Sequence, residues 1–210
     1  MKLIKLEVST MFVNCYFYYC EETKDAVLID PGGDYKLLNE FIDNNKLNLK
    51  AILLTHGHFD HIGAVENVRK HTNTSLIVHQ DEVDLIKDPN KNLSKPFGAP
   101  IISINADKTV KDGDIIKVGN ASLKVIHTKG HTPGGVCYYD KENKIIFVGD
   151  TLFRESIGRA DFPLSDKDEL LNSIKTKLLT LPEDVVCYCG HGAETTIGHE
   201  KVHNPYVLYS

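Results

Sequence analysis

Six consecutive positions, His56-Gly57-His58-Phe59-Asp60-His61, hold three imidazoles and a carboxylate. Unlike donors crowded in this way suit a metal site and make a poor apolar core. Neutral imidazole and carboxylate together ligate Zn²⁺, Fe²⁺ or Mn²⁺. At this composition roughly 0.002 accidental copies of H-x-H-x-D-H are expected per chain, so a merely solvated polar loop is the weaker reading. Cations held there would polarise a carbonyl and bring the pKa of a shared water toward neutrality. No serine or cysteine stands in a nucleophile setting such as G-x-S-x-G, which leaves activated water as the attacking group.

The elements that must position these donors are mostly strands. Leu3 to Val8 and Met11 to Tyr19 read as a strand pair. Ala26 to Ile29 reads as a short buried strand stopped by Asp30-Pro31-Gly32-Gly33, and Tyr35 to Asn44 as an amphipathic helix. Ala51 to Leu54 is an apolar strand running straight into the histidine cluster. Ile62 to Lys70 reads as a helix, so the cluster occupies a strand-to-helix loop that fixes its angles. Ser75 to Val78 is a further strand and Asp81 to Lys87 a short helix. Residues 88–101, with Pro89, Pro96 and Pro100, form an irregular stretch, either a substrate-side lid or a plain connection.

From Thr109 onward the pattern is β again. Ile115 to Val118, Ser122 to Ile126, Val136 to Tyr139 and Lys144 to Val148 alternate with turns. A helix follows the expected N-cap Ser165, and Val185 to Cys189 is the last strand. Four times an apolar strand ends in a glycine loop that bears His or Asp, at His56, His131, Asp150 and His191. Two of those loops, T-H-G-H and T-K-G-H, are alike. This suggests two similar β-rich halves facing each other, with donors converging on one sheet edge.

Composition narrows the function classes. A chain of 210 residues fits one domain, 1-210, better than two. A net charge of −5 without a dense Lys/Arg cluster argues against a nucleic-acid surface. Five cysteines, scattered and odd in number, make no disulfide framework, so a cytoplasmic setting is expected. Cys187 and Cys189 share one face of a strand; small apolar core residues are the better reading than a thiol metal pair. The run from Met11 to Cys20 is interrupted by Asn14 and lacks a cleavage site. It reads as a strand, and no segment is long enough to span a membrane.

The motifs H-G-H-F-D-H, G-H-T-P-G, G-D-T-L-F and G-H-G-A-E-T-T, in that order, resemble those of the metallo-β-lactamase superfamily. Within it the chain is similar to short glyoxalase II-like hydrolases. The resemblance implies an α/β (α+β) fold, a four-layer αββα sandwich, with a dinuclear site at its edge. By the same resemblance His56, His58 and His131 would hold one metal, Asp60, His61 and His191 the other, and Asp150 both. Two divalent metal ions are implied, zinc first, with iron or manganese as alternatives. Asp30 matches a position that supports the motif loop from behind, although a turn-capping Asx residue is an equal reading.

The implied reaction is hydrolysis of an S-acyl thiol conjugate, a small-molecule thioester, by hydroxide held between the cations. The second metal, or a proton from Asp60 as catalytic acid, would stabilise the leaving group. Alternatives are a mononuclear iron persulfide dioxygenase-like enzyme and a lactonase. The larger glyoxalase II enzymes carry a C-terminal helical domain for glutathione, and this chain stops nineteen residues after His191. Where those enzymes place a basic residue and a tyrosine, this chain has Gly158-Arg159-Ala160-Asp161. Arg159 is thus the expected substrate-binding cation, and weak recognition of glutathione is expected.

Overall fold

The computed structural model describes residues 1–209. The first half forms a six-stranded sheet from β1 (Lys2–Val8), β2 (Val13–Tyr19), β3 (Asp25–Ile29), β4 (Asn48–Leu53), β5 (Ser75–His79) and β6 (Lys108–Val110), paired in chain order. Its first three strands run antiparallel, and β3 to β6 are parallel. The parallel part needs crossovers, which α1 (Tyr35–Asn45) and later helices provide.

The second half repeats the design. Strands β7 (Ile115–Val118), β8 (Ala121–His127), β9 (Val136–Asp140) and β10 (Ile145–Gly149) pair antiparallel in succession. After a small hairpin of β11 (Leu152–Phe153) and β12 (Ser156–Ile157), strand β13 (Val186–Cys189) joins β10 in parallel, and β14 (Thr195–Thr196) closes the edge.

Alternation of side chains produces the layers. On β2, Val13, Cys15, Phe17 and Tyr19 face one core, where Leu38 and Ile42 of α1 pack. Tyr16 and Tyr18 of the same strand face the other way, into a core shared with Leu123, Val125, Tyr138 and Phe147 of the second sheet. Cys137, Tyr139, Ile146 and Val148 turn outward again, onto Leu170, Ile174 and Leu178. Period-two strands with both faces apolar are therefore buried twice over, and the result is the expected αββα sandwich.

Two expectations need correction. The stretch Ile62 to Lys70 is not one helix but α2 (Phe59–Ile62) and α3 (Val65–Thr72), separated at Gly63 and Ala64. The turn Pro31-Gly32 enters the break: Ala64 N–H donates to Pro31 O at 2.9 Å, and a Cβ on Gly63 would stand 2.4 Å from Gly32 O. The second is the cap of the late helix. After α4 (Val83–Lys87), helix α5 (Lys167–Ser173) is capped by Asp166, whose carboxylate accepts the Glu169 N–H. Ser165 instead donates its hydroxyl to His131 O at 2.7 Å, so it ties α5 to a site loop.

Candidate metal centre

Four strand ends deliver the donors to one edge of the sandwich. Strand β4 leads through Thr55 to His56, β8 to His131, β10 to Asp150 and β13 to His191. Asp60 and His61 come from the single turn of α2, directly after the β4 loop.

These residues form two adjoining groups. His56, His58 and His131 bring one ligating atom each within 4.8 Å of the others, and so do Asp60, His61 and His191. In the first group His131 Nε2 stands 3.0 Å from His58 Nδ1 and 3.3 Å from His56 Nε2. In the second, His191 Nε2 lies 3.3 Å and His61 Nε2 3.7 Å from Asp60 Oδ2. The Asp150 carboxylate lies between the groups, 3.9 Å from His131 Nε2, 3.7 Å from His191 Nε2 and 3.4 Å from His61 Nε2.

The last of those distances tests whether the residues fit a metal. His61 Nε2 and Asp150 Oδ1 are both buried, and neither has a hydrogen-bond partner. A buried polar atom left unpaired is costly, so two facing each other across 3.4 Å mark a place for a cation. The approach is set by Gly190: a Cβ there would stand 2.1 Å from Asp150 Oδ1.

Hydrogen bonds behind the donors fix which ring nitrogen is free. His131 Nδ1–H donates to Arg159 O at 2.7 Å, which leaves Nε2 as the lone pair facing the group. His191 Nδ1–H donates to Phe12 O at 3.2 Å in the same manner. His61 Nδ1 is held 3.1 Å from Asp30 Oδ2. Asp30 is fully enclosed, accepts the Thr55 N–H at 2.7 Å and also accepts the Thr55 hydroxyl. The backbone at Asp30 is left-handed (φ 51°), and its carboxylate reaches across to Thr55 and His61.

The electrostatics separate the groups. Burial holds the imidazoles of His56, His58 and His131 below the usual histidine range, hence neutral and able to ligate. Burial also opposes the charge on His61, but the carboxylates of Asp60, Asp150 and Asp30 outweigh it and push His61 up to about 10. Burial alone would raise the Asp60 carboxyl; His61 and His191 hold it well below the carboxylate range instead. The second group therefore stores negative charge that a proton or a cation must balance.

Glu82 was not anticipated as part of this site. Fully buried on the turn before α4, it accepts the Gly57 N–H at 2.8 Å and the Gly134 N–H at 2.7 Å. One carboxylate thus clamps the His56–His58 loop to the His131 loop. In the sequence it is one acid among several at a helix start, with no signal to set it apart.

Above the donors opens a cavity of about 380 Å³, with Phe59, Phe97 and Phe162 along one wall. Leu93 and Phe97 bring the irregular segment 88–101 to its mouth. Arg159 also lines it, but the guanidinium is already engaged: it makes two 2.9 Å bonds to Asp161 and lies 4.2 Å above the Phe162 ring. Cys187 and Cys189 are buried in the outer core of the second sheet, and neither is a member of either donor group. Of the other histidines, His71 pairs with Asp43 and His199 with Glu155, and His79 stacks on His127 at 4.0 Å.

Known proteins share this fold. The solved structure of the B3 metallo-beta-lactamase BLEG-1 superposes with a TM-score of 0.93 at 39% identity, over 99% of this chain and 100% of that one. TTHA1623, solved in a di-iron-bound form, superposes with a TM-score of 0.86 at 33% identity over 97% and 99% of the two chains. Hydroxyacylglutathione hydrolase GloC of Haemophilus influenzae is 37% identical over 99% of this chain and 98% of its own length. These likenesses put the chain among metal-dependent hydrolases. With the family model matching residues 8–191, nearly the whole sandwich, the chain belongs to the metallo-β-lactamase superfamily.

Proposed function

We propose that this chain is a glyoxalase II-like thioesterase that hydrolyses S-acyl thiol conjugates with two divalent cations, zinc first among them. The observation that carries the reading is Asp150: its carboxylate stands between two three-donor groups, with Oδ1 buried and unpaired. His56, His58 and His131 would hold one ion, Asp60, His61 and His191 the other, and Asp150 both. Bound there, the pair would activate water and polarise an acyl carbonyl, which is the chemistry a thioester needs.

The protein's own groups set the geometry for that chemistry. Asp30 and the Arg159 carbonyl fix the ring orientations of His61 and His131. Asp60 Oδ2 is the oxygen turned toward His61 and His191, so Oδ1 would be left to pass a proton from the attacking water to the leaving thiolate. In the balanced reaction a C–O bond forms, the C–S bond breaks, and water and thioester give a carboxylate, a thiol and one proton. GloC is named as a hydroxyacylglutathione hydrolase, which supports the thioester class.

We treat residues 1–210 as one hydrolase domain working in a reducing cytosol, in keeping with five free and buried cysteines. Among the described residues no helix is long and apolar enough to cross a membrane. The test is thiol release from S-lactoylglutathione and other thioesters by metal-replete protein under nitrogen. Turnover without oxygen is expected. No cleavage of any thioester, or turnover only with oxygen, would refute the reading and favour the dioxygenase alternative.

A further inference from the structure

The cavity over the metal centre carries little of what an anionic thiol carrier would need. Phe59, Phe97 and Phe162 form a continuous aromatic wall, with ring centroids 5.5 and 6.1 Å apart along the series. The wall starts beside the donors, where Phe162 meets the His58 ring edge-on at 5.3 Å, and it runs outward to Phe97, which is half exposed. Met11, Phe153 and Ile157 line the cavity as well. Arg159 is the single Lys or Arg among the lining residues, and Asp161 neutralises it through the paired bonds that a carboxylate ligand would require.

Resting on the thioesterase reading above, we infer that the preferred substrate is an uncharged thioester with an apolar acyl arm lying along the Phe59–Phe97–Phe162 wall. The argument is one of balance. A ligand carboxylate reaching Arg159 must displace Asp161, and it brings its own charge over an apolar rim, so the ion pair it gains is offset by the one it breaks. An apolar arm displaces only water from surfaces already built to exclude it.

The experiment uses the metal-loaded full chain and thioesters of one neutral thiol, N-acetylcysteamine, with acetyl, butanoyl and hexanoyl groups, beside hexanoyl-glutathione. On the inference, kcat/KM climbs by up to ~4-fold per added methylene, and the glutathione ester is no better than its neutral partner. Phe97→Ala should flatten the chain-length series. Asp161→Asn, by freeing Arg159, should raise the ratio of glutathione to neutral ester by ~2- to 5-fold.

A flat series, or a clear preference for the glutathione ester in the wild-type protein, would overturn the inference and leave the thioesterase reading standing. Absence of turnover on every ester would remove the thioesterase reading itself. The cavity is tested apart from turnover by calorimetry with two inert thioethers, S-hexyl-N-acetylcysteamine and S-hexylglutathione. The neutral ligand should bind with the lower Kd, and the reverse order would overturn the inference.

Discussion

Asp30→Asn changes one oxygen to an amide nitrogen at a carboxylate that is hydrogen-bonded to one of the candidate ligands, His61. The left-handed backbone at Asp30 (φ 51°) accepts Asn without added strain, and the side-chain volume is nearly unchanged. What changes is acceptor capacity. The carboxylate now serves the Thr55 N–H, the Thr55 hydroxyl and His61 Nδ1, all inside a fully buried site. An amide oxygen cannot serve all three, and its NH₂ must face a group that is itself a donor. Loss of one hydrogen bond to a charged acceptor amounts to ~1.5–3 kcal/mol.

At about 1.4 kcal/mol per decade, loss of the His61 bond corresponds to ~10- to 150-fold weaker binding of the ion held by the Asp60, His61 and His191 group. Chelator competition on folded, metal-loaded protein reads this directly, with thiol release measured in parallel. One ion should become easier to remove and activity should fall with it. If both ions kept their affinity within twofold and turnover were unchanged, Asp30 would be a turn residue and nothing more.

Gly190→Ala should displace the Asp150 carboxylate, since the new Cβ would meet Oδ1 at 2.1 Å and His61 Cε1 at 2.9 Å; a loss of bound metal, seen by elemental analysis of folded protein, is the expected result. Glu82→Ala should leave the Gly57 and Gly134 N–H groups buried without acceptors, for ~1–3 kcal/mol each, measured by denaturant unfolding; a change below about 1 kcal/mol would dismiss the clamp. Glu82 also makes a prediction about pH. Burial raises its carboxyl from an ordinary 4.5 to about 7, so the folded state binds that proton more tightly than the unfolded state. The stabilisation is complete below about 4.5 and is lost as pH rises through about 7. The stability of metal-free wild type relative to Glu82→Gln should therefore fall by ~3 kcal/mol over that interval, and a constant difference would contradict the assignment.

Much of this was legible in the chain because local chemistry and fold agree. The period-two pattern of β2 is visible as Val13, Cys15 and Phe17 alternating with Tyr16 and Tyr18, and the layers follow from it. The four donor loops stand out because each apolar strand stops at a glycine beside His or Asp. Contacts made across the fold were harder to read. Glu82 reaches Gly57 and Gly134 only after β5 and its following turn are folded against both loops. The break at Gly63 depends on Gly32, thirty-one residues earlier, filling it. The pairing of Arg159 with Asp161 had a local signal in their two-residue separation, but whether the cation faced solvent, substrate or its neighbour depended on the loop conformation. The aromatic wall is assembled from three distant segments, and none of them is distinctive alone.

The central claim is a pair of ions shared through Asp150, and metal content per folded chain measures it most directly. Elemental analysis of metal-replete protein, checked by native mass spectrometry, should give two first-row ions per chain for the wild type. Asp150→Ala should hold fewer. A wild-type content that never exceeds one ion per chain, or an Asp150→Ala protein that retains two, would contradict the account.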